Sequence, residues 1–323
     1  MTEPKPLLLI AESDEFSKEA LAALRRHFAV ELANLNREEL LQRVSRCQYL
    51  WVRLRTLIDA EIIDAAPQLK AIVTNTTGLN HIELDHAQRR GILIISLQGE
   101  LNFLKTIRAT AEHTIGLTLA LLRKIPAAHD HVCNASWDRS AFKGREIYGK
   151  TVGIVGYGRL GKIVAGYFQA LGATVIVNDR GLAAGETVDG FATKPLPALL
   201  SIADIVSLHV AYEPSNRRML GASEFRAMKP GAVFINTARG ELVDETALLE
   251  DLEREHLGGA ALDVIDAEHG QSPVRARLVQ FARVTDRLIL TPHIGGYTDE
   301  SLARTEIFLA DKLLSEVLGI PTS

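Results

Sequence analysis

The stretch TVGIVGYGRLG, residues 151–161, decides how the rest of the chain is read. A β-branched run enters three glycines, Gly156, Gly158 and Gly161, and a helical pattern leaves them. Leu160, Ile163, Val164, Tyr167, Phe168 and Leu171 recur at the spacing of one helix face, and Gly172 stops the pattern. The next strand, TVIVND, closes on Asp179, about 20 residues past the first glycine. Strand, glycine turn, helix and acid in that order turn a weak motif into a dinucleotide-binding fingerprint. Gly156 permits the tight turn, Gly158 lets the backbone approach a pyrophosphate, and Gly161 lets helix and strand pack closely. The amides of Arg159 and Leu160 lie in the first helical turn, where unpaired N–H groups and the helix dipole favour phosphate. Asp179 can accept both hydroxyls of a ribose and would repel a 2′-phosphate, which favours NAD over NADP. Arg180, beside it, pulls the other way.

Downstream of the fingerprint the same alternation continues. DIVSLHV (204–210), AVFINTA (232–238), GAALDV (259–264) and RLILTPH (287–293) join TVGIVG and TVIVND as six buried-strand candidates, with helical segments between most of them. A doubly wound parallel sheet is built this way.

The 150 residues before the fingerprint carry the rhythm once already. LLLIA (7–11), VELAN (30–34), YLWVR (49–53), KAIVTN (70–75) and ILIISL (92–97) read as strands, and EFSKEALAALRRHF reads as a helix between the first two. TAEHTIGLTLALLRKI is a long apolar helix that can carry the chain from one domain to the other. TDESLARTEIFLADKLLSEVLG, after residue 293, is an amphipathic helix with no strand to follow. It has no place in the second sheet and is expected to pack back on the first domain. The dinucleotide domain, residues 109–294, is then inserted into a domain made of residues 1–108 and 295–323. Insertion accounts for a fingerprint that arrives so late in the chain.

Composition narrows the functions. Hydrophobic residues make up 47% and charged residues 24%, a globular balance. The net charge of −4 provides no basic footprint for nucleic acid. The longest apolar run is too short for a membrane span, and the N-terminus does not read as a signal peptide. Two cysteines, Cys47 and Cys133, imply neither a disulfide framework nor a thiolate metal site, which suits the cytoplasm. His129 and Cys133 would share a helix face, yet the stretch AHDHVC reads more simply as a polar segment than as a metal site.

Ligands of such sheets bind beyond the carboxyl ends of the strands. Arg239 follows AVFINTA, Glu268 follows GAALDV, and His293 ends RLILTPH, so all three are expected at that edge. The motifs GYGRLG, MKPGAVFINTARGELVDETAL, GGAALDV and LTPHIGGYT closely resemble the D-isomer-specific 2-hydroxyacid dehydrogenase family. VRLRT, APQLKAIVTNTTGLNHIELDHAQRRGI and TAEHT extend the resemblance over nearly the whole chain. Among its members the chain looks most like short phosphoglycerate-dehydrogenase-like proteins, and no regulatory domain is expected after the last helix.

The resemblance implies an α/β architecture with a Rossmann NAD domain inserted into a flavodoxin-like substrate domain. It implies an NAD-dependent oxidoreductase that interconverts a small-molecule D-2-hydroxy acid and its 2-oxo acid. Arg239 would bind the substrate carboxylate and polarise the carbonyl. His293 would exchange the proton, and Glu268 would orient it. Asp263 would contact the nicotinamide side, and Thr237, Ala238, Gly295 and Gly296 would line the cofactor site. From the first domain, Thr77, Gly78 and Leu79 would hold the same carboxylate. Arg53, with Arg55 two residues on and so on one strand face, would hold a second anionic group. The cleft between the domains is expected to close on substrate, and a homodimer is implied. No metal, nucleic acid or membrane partner is expected.

Three stretches depart from the family pattern. His269 stands where proline usually follows the catalytic glutamate, HVA (209–211) replaces HVP, and the longer SLQGELNFLKTIRAT (96–110) replaces a short proline loop. Phosphoglycerate oxidation, glyoxylate or hydroxypyruvate reduction, and a non-catalytic NAD(H)-sensing role on the same fold all remain open from the residues alone.

Overall fold

A computed structural model describes residues 4–266, 268 and 272–320. It divides into two units, residues 1–107 with 298–323 and residues 108–297.

In the first unit five short strands pair in parallel: β1 (Leu7–Ile10), β2 (Ala29–Leu32), β3 (Tyr49–Val52), β4 (Ala71–Thr74) and β5 (Leu93–Ile95). Their order is β2-β1-β3-β4-β5, the flavodoxin-like arrangement. Both faces are covered. Leu8, Ile10 and Trp51 face one core, while Leu9, Leu50 and Val52 face the other, as alternation along a strand requires. β3 and β4 are buried at every position, which is why β3 reads as an unbroken apolar run and β4 as one that only Thr74 ends.

The helix Asp299–Leu318 belongs to this unit. Leu309 and Leu313 are fully buried in the core of Leu8 and Trp51; burying each stabilises by roughly 1.5–3 kcal/mol. Two polar ties add direction. Trp51 Nε1 donates to Asn75 Oδ1 at 2.7 Å, and Asn75 Nδ2 donates to Thr305 Oγ1 at 3.0 Å. The long segment 96–107 is anchored within this unit. It forms a turn of helix at Leu101–Leu104, buries Leu104, and stacks Phe103 on Phe308 with centroids 4.1 Å apart.

In the second unit the strands are β6 (Thr151–Val155), β7 (Thr174–Asn178), β8 (Thr187–Val188), β9 (Phe191–Thr193), β10 (Ile205–Leu208), β11 (Val233–Asn236), β12 (Gly259–Leu262) and β13 (Leu288–Leu290). The order β13-β12-β11-β10-β6-β7-β9-β8 reverses between β6 and β10. All pairs are parallel except β8 with β9. This is the doubly wound Rossmann sheet, and the β6–β10 boundary is its switch point. The β8–β9 hairpin adds two strands to the six expected. It turns at Asp189 and Gly190, both left-handed with φ 50° and 86°. An Asp-Gly pair between apolar residues is the sequence signal for such a turn.

The apolar helix expected after residue 110 is Ala109–Leu122, with Leu117 and Leu121 packed against Ile154 and Val164. It stops at Lys124, whose φ is 55°, and a second helix, Ile125–Cys133, starts with proline in its first turn. In that helix His129 Nε2 and Cys133 Sγ lie 3.5 Å apart at the surface. Both cysteines are free. Among the described residues no helix is long and apolar enough to cross a membrane.

Candidate active site

The fingerprint sits at the switch point. β6 ends at Val155, and Gly156 follows with φ +93°. A side chain there would be strained, and its Cβ would lie 2.6 Å from the His209 carbonyl carbon at the end of β10. The close approach of the two strand ends therefore depends on glycine. Gly158 caps the helix Arg159–Ala170, with nothing within 4 Å of where its Cβ would point. The backbone at the helix N-terminus is thus open to a phosphate. Gly161 is buried in the first turn.

Asp179 follows β7. Its carboxylate accepts from Tyr157 N at 2.8 Å and from Gly181 N at 3.0 Å, which fixes it beside the glycine turn. Arg180 is held by Glu213 through two nitrogens, at 3.0 and 2.9 Å. The pair is exposed and worth little to stability. Its effect is to occupy the guanidinium that would otherwise favour a 2′-phosphate. An open glycine cradle with an acid at the next strand end fits a dinucleotide with a free 2′-hydroxyl.

Three adjacent strands carry the remaining chemistry. Asn236 ends β11 and is buried. Its amide accepts from Ala238 N at 2.9 Å and donates to Arg239 O at 3.0 Å, shaping the turn that presents Arg239. Thr237, also buried, shares a hydrogen bond with Thr114 at 2.9 Å. Arg239 is half-buried, and Nη1 donates to Ala238 O at 2.7 Å. Burial holds its guanidinium below the usual range, with Glu268 and Glu241 opposing that shift.

His293 follows β13 in a left-handed conformation, φ 56°. Its Nδ1 and Glu268 Oε2 are 2.8 Å apart, and both side chains are partly buried. A carboxylate accepts, so Nδ1 carries the proton and Nε2 is the ring atom left to exchange one. His269, beside this pair in sequence, lies outside the described residues.

Asp263, at the end of β12, is 2% exposed. Its carboxylate accepts from Thr291 Oγ1 at 2.6 Å, His113 Nε2 at 3.1 Å, Ile294 N at 2.9 Å and Gly295 N at 2.8 Å. His293 N donates to its carbonyl at 2.8 Å. Burial alone would raise this carboxyl; the bonds from His113, Thr291 and the two amides outweigh it and hold the group below its usual range. Sequence reading placed Asp263 beside the nicotinamide. Its carboxylate is occupied by the loop that presents His293, and Gly295 N–H is spent on it, while Gly296 is exposed. Asn236, His113 and Thr291 escaped sequence reading. The signals were present in TAEHT, INTA and LTPH.

In the first unit, Thr77, Gly78 and Leu79 form the turn after β4 and range from exposed to half-buried. Arg53 is a different matter. It is 8% exposed, pairs with Glu306 at 2.6 Å and donates to Asp14 O at 3.0 Å. Expected as an anion-binding residue, it is a buried strut between β3 and the last helix. Burial holds the Glu306 carboxyl above its usual range, with Ser17 N–H and Arg53 opposing. Arg55, by contrast, is half exposed; its guanidinium lies 3.4 Å from Asp14 and Asn34, and its backbone N–H donates to Glu12 at 3.2 Å.

This site and these sheets have counterparts. The chain belongs to the D-isomer specific 2-hydroxyacid dehydrogenase family, whose NAD binding domain matches residues 115–295. D-3-phosphoglycerate dehydrogenase of Mycobacterium tuberculosis is 35% identical over 317 residues, 97% of this chain and 57% of that protein. This chain therefore spans little more than half the length of that relative. Hydroxypyruvate reductase of Thermotoga maritima is 33% identical over 95% of this chain and 97% of its own. A crystal structure of D-lactate dehydrogenase from Aquifex aeolicus, complexed with NAD and lactic acid, matches 97% of this chain and 96% of that one at TM-score 0.82 and 27% identity.

Proposed function

We propose that the protein interconverts a D-2-hydroxy acid and its 2-oxo acid using NAD. The observation that carries this is the 2.8 Å pairing of His293 with Glu268, on the same sheet edge as Arg239 and the fingerprint. When bound, the nicotinamide supplies or accepts the hydride. Reduction of a carbonyl builds negative charge on its oxygen. Arg239 binds the substrate carboxylate and stabilises that charge, and His293 Nε2 gives the proton that completes the hydroxyl. Oxidation runs the same steps backwards. Glu268 keeps Nδ1 protonated and the ring oriented. Thr237 and Ala238 serve the cofactor side. An NADH-oxidation screen over glyoxylate, hydroxypyruvate, pyruvate and 3-phosphohydroxypyruvate tests the reading; no turnover of any of them counts against it.

NADH should be preferred to NADPH, since Asp179 repels a 2′-phosphate and Glu213 occupies Arg180. Asp179→Ala should weaken NADH binding and narrow the preference. Tighter binding of NADPH than NADH by the wild type would remove this assignment.

The choice between phosphoglycerate oxidation and reduction of glyoxylate or hydroxypyruvate turns on Arg55. With Arg53 engaged by Glu306, Arg55 is the arginine of the pair that can take a phosphate. Arg53→Ala is a poor probe, because it leaves Glu306 buried without its ion pair, which costs about 3–5 kcal/mol. Arg55→Ala should impair 3-phosphohydroxypyruvate over glyoxylate by roughly tenfold to a hundredfold, the loss of one charge-assisted contact. Equal effects on both would favour the smaller acids.

A homodimer and a cytoplasmic setting complete the proposal. The helix Ile125–Cys133 buries none of its residues, and Ile125 and Val132, seven apart and so on one face, are 52% and 45% exposed. Trp137 is 91% exposed a few residues on. Such a face suits a second copy, and a monomer in sedimentation at micromolar concentration would argue otherwise. The unpaired cysteines suit a reducing compartment.

A further inference from the structure

The loop that carries Glu268 is gripped where it leaves β12. Glu245 Oε1 accepts the Asp266 N–H at 2.5 Å. The Asp266 carboxylate takes Arg217 Nη2 at 2.6 Å. Beneath the same peptide lies Gly240, the residue after Arg239. A Cβ on it would fall 1.9 Å from Ile265 C and 2.1 Å from Asp266 N. The backbone two residues before Glu268 is thus pressed against the neighbour of Arg239 and hydrogen-bonded to Glu245.

Glu245 is not needed where it sits for ordinary reasons. It opens the helix Glu245–Glu253, but Asp244 already caps that helix, accepting from Thr246 N and Ala247 N. A first-turn glutamate can serve the helix dipole from solvent. This one is 6% exposed, and a buried carboxylate is costly unless a partner uses it. Its partner among the described residues is the Asp266 amide.

We propose that Glu245 is a positioning residue for Glu268. Its carboxylate fixes the peptide at Asp266 and thereby the angle at which Glu268 meets His293. This rests on the roles given above to Arg239, Glu268 and His293. Burial pushes the Glu245 carboxyl up to about 7; the negative charges of Asp266 and Glu241 push the same way, while the Asp266 N–H and Arg218 oppose them. Near neutrality both forms are present, and the neutral form still offers a carbonyl oxygen to Asp266 N–H. Glutamine offers the same oxygen.

The test uses the full chain, NADH and whichever 2-oxo acid of the panel is reduced fastest. Glu245→Ala should lower kcat on the order of tenfold to a hundredfold, as a misplaced catalytic group does, with KM for NADH changed by less than about threefold. Glu245→Gln should recover most of the loss. In a Glu268→Ala background, Glu245→Ala should cost nothing more, because effects passed through one residue do not add. Wild-type kcat in Glu245→Ala overturns the proposal, and so does a double variant slower than Glu268→Ala by the full single-variant factor. Wild-type kcat in Glu268→Ala instead overturns the Glu268–His293 pairing, and the positioning role falls with it. If Glu245→Ala does not fold, Glu245→Asp, which retracts the carboxylate by one methylene, carries the same expectations.

Discussion

His293→Ala is expected to lower kcat by on the order of a hundredfold to ten-thousandfold, the usual cost of losing a general acid–base, while NADH still binds. The size follows from the geometry. His293 Nδ1 is committed to Glu268 at 2.8 Å, so Nε2 is the atom available to the substrate oxygen. The fold should survive, since the ring is partly exposed and the loop's backbone bonds end on Asp263 rather than on the imidazole. Stopped-flow kinetics and an NADH fluorescence titration measure the two halves separately. Turnover within about threefold of wild type, with NADH bound, would end the assignment of His293 as proton donor.

Arg239→Gln should lower kcat/KM by on the order of a hundredfold to a thousandfold, the range seen when a donor to developing oxyanion charge is removed. Two effects should appear together. KM for the 2-oxo acid should rise because the carboxylate loses its guanidinium. kcat should fall because the carbonyl oxygen loses it as charge builds. The half-buried setting strengthens both, since Arg239 stays charged in a place where water screens poorly. A rise confined to KM would leave Arg239 as a carboxylate clamp with no part in the chemistry.

The fold was legible where burial was complete. β3, β4, β10, β11 and β12 are buried at every position, so each appears in the sequence as a largely apolar run, broken only by Ser207 in β10 and ended by Thr74 in β4 and Asn236 in β11. The glycines at 156, 158 and 161 were legible because backbone geometry demands their residue type. The short β8 and β9 strands were not read as strands, although Asp189-Gly190 marks their turn. Within the site, residues at strand ends could be named because parallel sheets bind ligands there. What escaped was partnership over distance. Arg53 looked like a cation for a substrate, and its partner Glu306 lies on the final helix, far along the chain. Glu245 was not singled out, because an acid in a first helical turn is ordinary in sequence, and only burial beneath the Glu268 loop sets it apart. His113 and Thr291 lie inside TAEHT and LTPH, but the sequence does not pair them; only their shared contact with Asp263 marks them.

The amides of His293, Ile294 and Gly295 run in sequence, and each donates to Asp263: the first to its carbonyl, shared with Thr291 O at 3.0 Å, the others to its carboxylate. In hydrogen-exchange terms this makes them one unit. A turn near the surface ordinarily opens residue by residue and exchanges early. Here the three amides share Asp263 as an acceptor, and Asp263 is rooted at the end of β12, inside the sheet between β11 and β13. The three protons should therefore exchange with a common opening free energy, closer to that of the sheet than to that of a loop. His293, the proposed proton donor, would then be mounted on the core of its unit, and the heat or denaturant that frees it should be close to what unfolds the strand.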